Sequence, residues 1–177
     1  MIERDGDRDI ELLKRRAAEL AAPRSEERET EETTPLLAFS MFGARYAVDL
    51  DKVDAVTRIG EIHTIPLTPK HLSGVIRRRG ETIALVSLRL FFHPEAEGIA
   101  DSDFALIARV AGKRFALQVD DIEGVSHLPR SQLLPPPENF DRAQVPYLAG
   151  VTNDGLVVID LERLIEAEGF SAVRPMV

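Results

Sequence analysis

Apolar residues along this chain come in short runs with a period of two. From residue 36 onward the pattern is consistent. Residues 37–42 are apolar apart from Ser40; Gly43 and Ala44 make a turn, and Tyr46, Val48 and Leu50 then alternate with Ala47 and Asp49. Such alternation sends successive side chains to opposite faces and predicts half-buried strands. Residues 74–79 and 82–88 read as two strands joined at Gly80-Glu81. Residues 104–110 and 115–119 flank the turn Ala111-Gly112, and 145–152 and 156–161 flank Asn153-Asp154-Gly155, where Asp and Gly tolerate positive φ. The predicted helical pieces are few: 50–57, 69–73, and 161–168 ahead of Gly169 as a C-terminal cap.

The pattern occurs twice. Residues 43–56 lie over 112–125 at an offset of 69, with Tyr46 on Phe115, Val48 on Leu117, Val53 on Ile122 and Val56 on Val125. His71-Leu-Ser-Gly-Val75 resembles Tyr147-Leu-Ala-Gly-Val151 at an offset of 76, and residues 83–88 resemble 156–161 at an offset of 73. Two similar β units follow. Each has about 55 residues, too few to bury a comfortable core alone, so the two are expected to pack together. Closing each sheet into a barrel would remove its exposed edges.

The beginning of the chain has a different texture. Its first 35 residues carry 11 acidic and 7 basic side chains. Ile10, Leu13, Ala17 and Leu20 share one face of a helix expected over 9–22, which Pro23 ends. Residues 24–35 read as a charged linker without core-forming side chains. The expected division is therefore an extension over 1–35 and a domain over 36–177.

Composition then narrows the chemistry. The absence of Cys excludes disulfides, zinc–thiolate sites and thiol nucleophiles. A net charge of −8 with only ten aromatic residues argues against a nucleic-acid binder, which needs a basic groove with stacking rings. No apolar run approaches a membrane span, and acidic residues occupy the place of a signal peptide's apolar segment, so a soluble intracellular protein is expected. No phosphate loop, nucleophile elbow or HExxH motif occurs, and His63, His71, His93 and His127 are scattered. No catalytic residue, metal or cofactor is expected. The acidic pairs Asp120-Asp121 and Asp160 with Glu162 read as caps. The run Arg77-Arg78-Arg79 is the sharpest charge feature of the folded part, with Arg79 suited to ordering a turn or a partner through charge-assisted bonds.

Taken together, these segments resemble the CheW-like family, the coupling scaffold of bacterial chemotaxis arrays. The resemblance spans residues 39–165. It rests on 39–56, on Gly74-Val-Ile-Arg-Arg-Arg-Gly80, on 83–89, on 112–125, on Pro135-Pro136-Pro137, and on Tyr147-Leu-Ala-Gly150 leading to Leu161. It implies a mainly β fold: two five-stranded SH3-like barrels on a shared hydrophobic core, expected over about 36–92 and about 103–162, with a C-terminal helix at 161–168. It implies no catalysis. The implied partners are the cytoplasmic tip of a methyl-accepting chemoreceptor and the regulatory domain of a CheA-type histidine kinase, met in the cytoplasm at receptor arrays.

Carried over residue by residue, the resemblance sets Val53 and Val56 near the receptor-contacting face, with Ala55 between them, and matches Arg79 to the family's arginine in the strand–turn motif. Leu134 and Phe140 fall near the barrel-end contact with the kinase. Three positions depart from the family pattern. Ala55 replaces a common acidic residue, Arg77 a common Asn, and Leu134 a basic residue. These departures motivate an alternative expectation, an adaptor that has lost one interface and binds only receptor or another regulator.

Overall fold

The computed structural model describes residues 32–96 and 102–170; the helix expected over 9–22 lies outside them. Ten strands form among these residues. They are β1 (Thr33–Met41), β2 (Ala44–Asp49), β3 (Val53–Arg58), β4 (Leu72–Arg78), β5 (Glu81–Val86), β6 (Phe104–Val110), β7 (Lys113–Val119), β8 (Asp121–Pro129), β9 (Leu148–Val151) and β10 (Val157–Ile159). Two short helices follow the fifth and tenth strands, α1 (Leu88–Phe92) and α2 (Leu161–Glu166).

The strands make two five-stranded sheets. The first runs β8-β1-β2-β10-β9 and the second β3-β6-β7-β5-β4. Adding five to each strand of the first half turns one order into the other, so the sequence repeat is a repeat of topology. It is not, however, one repeat per sheet. The expected division into a barrel over 36–92 and another over 103–162 is corrected by the pairing. Each half gives its leading hairpin to one sheet and its last three strands to the other. Parallel pairs join the halves, with Val157 beside Tyr46 and Ala84 beside Phe115. The two units are therefore interlocked through their backbones as well as packed.

Period-two alternation distributes the core. On β6, Leu106, Ala108 and Val110 enter a large cluster shared by both sheets, whereas Ala105 and Ile107 enter a smaller one inside the second sheet. On β1, Leu37, Phe39 and Met41 face the shared cluster, and Leu36 and Ala38 a third cluster inside the first sheet. Each sheet thus has an apolar inner face and an apolar face against its partner, which is why its strands read as nearly continuous apolar runs. Burial of the larger of these side chains is worth about 1.5–3 kcal/mol each.

The two sheets close by the same device. Beyond β3, His63 exchanges backbone hydrogen bonds of 2.9 Å with Val75 of β4; beyond β8, Leu134 exchanges bonds of 2.9 and 2.8 Å with Val151 of β9. The glycines of the duplicated His71–Val75 and Tyr147–Val151 motifs sit at these junctions. A Cβ on Gly74 would lie 2.5 Å from the His63 carbonyl oxygen, and one on Gly150 would lie 2.6 Å from that of Leu134. Only a residue without a side chain lets the strands meet there.

Several local expectations change. Residues 50–57 are not helical. Leu50–Lys52 form one 3-10 turn, the Asp49 side chain accepting from the Asp51 N–H, and β3 follows. Residues 69–73 form a turn, with Leu72 N–H donating to Pro69 C=O, that leads into β4. Gly169 belongs to a terminal 3-10 turn rather than capping α2. Asp160 does cap α2, accepting from the N–H groups of Glu162 and Arg163, and Leu161, Leu164 and Ile165 are its buried face. Asp120 braces the β1–β2 turn instead of a helix, accepting from Phe42 N–H at 3.0 Å.

Candidate protein-interaction site

The candidate residues fall into two groups. Val53, Ala55 and Val56 lie on β3, an edge strand of the second sheet, and Arg79 lies in the β4–β5 turn of that same sheet. Leu134 and Phe140 lie in the segment between β8 and β9, where Leu134 pairs with the first sheet.

On β3 the register slips between Val53 and Ala55 against β6. This bulge sends Val53 and Val56 toward the shared core while Ala55 packs on the inner cluster of the second sheet. All three are half-buried and line an edge that β6 covers on one side only. The bulge also aims Asp54 outward. Its Oδ2 lies 2.9 Å from Arg114 Nε and 3.1 Å from Arg109 Nη2, and Arg114 also pairs with Glu81 beside the β4–β5 turn.

The other sheet repeats this construction. Its β8 slips in register between Ile122 and Gly124, and the Glu123 left at the bulge accepts from Arg45 Nε at 2.8 Å. Arg45 reaches Asp154 of the β9–β10 turn at 3.3 Å. Thr152, ahead of Arg45, holds the Asp154 carboxyl below the usual carboxylate range. The duplicated Gly-x-Arg-aromatic segments 43–46 and 112–115 therefore each supply an arginine that ties a bulged edge strand to a hairpin turn. Sequence reading registered the aromatic and aliphatic matches of this repeat and missed the arginine. The signal was the pairing of Arg45 with Arg114 and of Asp54 with Glu123 at the offset of 69. Val125, the counterpart of Val56, is 54% exposed on β8 and was not singled out either.

Arg79 leaves the strand. Arg79 and Gly80 have φ of 49° and 85°, the two positive values of a tight hairpin turn, so Arg79 does not share a strand face with Arg77. Arg77, Arg78 and Arg79 have no hydrogen-bonded or ion-paired acceptor among the described residues, and Arg78 Nη1 is buried without one.

In the second group, Leu134 is 41% exposed and Phe140 is half-buried against the shared core. Pro136, Pro137, Phe140, Val145 and Pro146 border a shallow depression of about 280 Å³. A polar chain fixes this loop to the body. Tyr46 Oη donates to Gln144 Oε1 at 3.1 Å, Gln144 Nε2 donates to Asp141 Oδ2 at 2.9 Å, and that oxygen meets His93 Nε2 at 2.7 Å. Burial raises the Tyr46 phenol above its ordinary value. Burial pushes the Asp141 carboxyl upward too, but bonds from Ala143 N–H, Gln144 and His93 bring it below its ordinary value. A separate groove of about 470 Å³ opens at the mouth of the first sheet, lined by Leu36, Leu128, Leu133 and Val158 among others.

Among the described residues no group of three or more His, Cys, Asp or Glu side chains is placed to hold a metal ion, and no helix is long and apolar enough to cross a membrane. What the fold presents is edge strands, charged hairpin ends and a proline-rimmed depression that Glu138 and Arg142 also line. These are the surfaces of a β scaffold that works through protein contacts.

Comparison with known proteins gives that class its family. The CheW-like domain model matches residues 35–169, and the chain belongs to that family. It is 24% identical over 140 residues to the chemotaxis protein CheW of Klebsiella aerogenes, covering 77% of this chain and 84% of that one. It is 31% identical over 114 residues to protein FrzA of Myxococcus xanthus, covering 64% and 70%. The crystal structure of the scaffolding protein TtCheW from Thermoanaerobacter tengcongensis superposes with a TM-score of 0.66 at 24% identity, covering 82% of this chain and 99% of that one. The two-sheet fold is thus the CheW fold, and the protein is a chemotaxis scaffold adaptor.

Proposed function

We propose that this protein couples the cytoplasmic tips of chemoreceptors to the regulatory domain of a CheA-type histidine kinase, without catalysis of its own, in the cytoplasm at receptor arrays. The observation that carries this reading is the separation of the candidate residues onto two surfaces. Val53, Ala55, Val56 and Arg79 belong to the second sheet, and Leu134 and Phe140 to the loop that closes the first. An adaptor needs two such surfaces, each modest, with an apolar centre and a polar rim. Single contacts of this size are weak and gain strength through multivalency in an array.

Co-sedimentation tests it, with receptor tip and kinase regulatory domain offered separately. Arg79→Glu is expected to weaken the receptor contact about tenfold and leave the kinase contact, and Phe140→Ser to do the reverse. Wild-type protein that binds neither partner, or variants that lose both contacts equally, would refute the reading.

A further inference from the structure

The two sheets share a construction but not a charge. At the end of the second sheet formed by the β4–β5 and β6–β7 turns stand Arg77, Arg78, Arg79, Arg109, Lys113 and Arg114, against Asp54 and Glu81. Six cations face two carboxylates, a local charge of +4 on a chain whose net charge is −8.

The repeat acts as an internal control on which of these charges the fold requires. Arg114, Asp54 and Glu81 have counterparts in Arg45, Glu123 and Asp154, joined in the same way, so that triad belongs to the construction. The remaining cations do not recur. At the same offsets Arg109 corresponds to Ser40, Lys113 to Ala44 and Arg77 to Asn153. The architecture forms without them in the first sheet.

The unmatched cations are also gathered. Arg77 pairs with Thr82 across β4 and β5, and the parallel register of β5 with β7, continued two residues from Ala84–Phe115, sets Lys113 beside Thr82. Arg77 and Lys113 therefore stand on one face, two strands or about 10 Å apart, and both are exposed. Arg79 projects from the adjoining turn at a φ of 49°, a conformation that strains a non-glycine residue. None of the three has an acceptor among the described residues to offset its charge or, for Arg79, its strain. Strain held at an exposed residue without an internal partner points outward.

We infer that this end of the second sheet is a docking surface for an acidic protein segment, and that Arg77, Arg79 and Lys113 select a partner by its carboxylates. Guanidinium forks match carboxylates in bidentate geometry, as Arg114 already does within the chain by holding both Asp54 and Glu81. An anionic membrane fits less well. The large exposed apolar side chains, Phe42, Leu67, Val125, Leu134 and Val145, belong to other segments, so this end has nothing to insert. The net negative chain is repelled by such a surface at long range, whereas a compact acidic segment meets the local +4. The inference rests on the coupling reading in one respect: Arg79 and β3 assign the acidic segment to the receptor tip.

The test is a titration of the isotope-labelled full chain with deca-glutamate, followed by backbone NMR, beside a variant carrying Arg77→Asn and Lys113→Ala. Those are the residues the first sheet carries at the corresponding positions, so the fold is expected to stand, and the dispersion of the spectrum checks this. Saturable shifts confined to residues 77–82 and 109–114 are expected, fading between about 50 mM and about 300 mM salt. Affinity in the double variant should fall about tenfold, with receptor-tip co-sedimentation weakened and kinase co-sedimentation kept. Shifts elsewhere, no saturation, unchanged affinity in the variant, or equal shifts with phosphatidylglycerol vesicles would overturn the inference. Wild-type protein that binds receptor and kinase but not deca-glutamate leaves the coupling reading intact and removes this one. Binding of deca-glutamate at these residues without either protein partner does the opposite.

Discussion

Three glycines allow the closure of the sheets to be tested term by term. Gly43 has φ of 75° with open space around a built Cβ, so Gly43→Ala carries only the conformational cost, about 1 kcal/mol. Gly150 lacks a positive φ, but its Cβ would lie 2.6 Å from both the Leu134 oxygen and Leu133 Cγ. Leu133 can yield; the backbone oxygen can move only by loosening the Leu134–Val151 pair, so Gly150→Ala should cost about 2–3 kcal/mol. Gly74 combines a φ of 142° with a contact of 2.5 Å to backbone oxygen, and relief there breaks the His63–Val75 pair. Gly74→Ala should therefore cost about 3–5 kcal/mol, a large share of the total for a domain of this size.

Urea unfolding of the full chain reads these costs as midpoint shifts at constant slope. Hydrogen exchange adds a local check. In Gly74→Ala the amides of His63 and Val75 should lose protection while those of β6 and β7 keep it. If Gly74→Ala costs no more than Gly43→Ala, or if protection is lost uniformly, the glycine is not holding the closure and the argument fails.

Other outcomes follow from the polar ties. Arg114→Met should destabilise by about 1 kcal/mol and Arg45→Met by less, because the Arg114 triad is more shielded from solvent; thermal melts at low and high salt would check both the order and its screening. Tyr46→Phe leaves the buried Gln144 oxygen without its donor and should cost about 1–2 kcal/mol by urea unfolding. Asp141 has a folded-state pKa below its ordinary 3.8, so its stabilising contribution is present above that value and disappears as pH falls through the lower, folded one. The stability gap between wild type and Asp141→Asn, measured from pH 7 downward, should therefore narrow only in that acidic window; a gap that closed near neutral pH would contradict the bonding around Asp141.

Much of the fold is a local property of the chain. Alternation at 104–110 and 115–119, turn residues at Ala111-Gly112, and the doubled motifs with their offsets are short-range features, and they yield strands, hairpins and a repeat without reference to anything distant. The edge strands were hidden for a physical reason. A bulge inserts one residue, so Val53 and Val56, like Ile122 and Val125, fall three apart and imitate a helical spacing. The candidate residues Val53, Ala55 and Val56, expected on a helix over 50–57, thus lie on a strand.

What the tertiary structure alone decided is which copy pairs with which. Because β5 and β10 come from the duplicated segments 83–88 and 156–161, the local apolar pattern does not say which of them pairs with β2 and which with β7. The exchange that sets Val157 beside Tyr46 and Ala84 beside Phe115 is a long-range choice, made when both halves bury one common core. The same choice gathers Arg77, Arg79 and Lys113 at one end. Amino-acid order supplied these cations; only pairing between segments more than thirty residues apart brought Lys113 alongside Arg77.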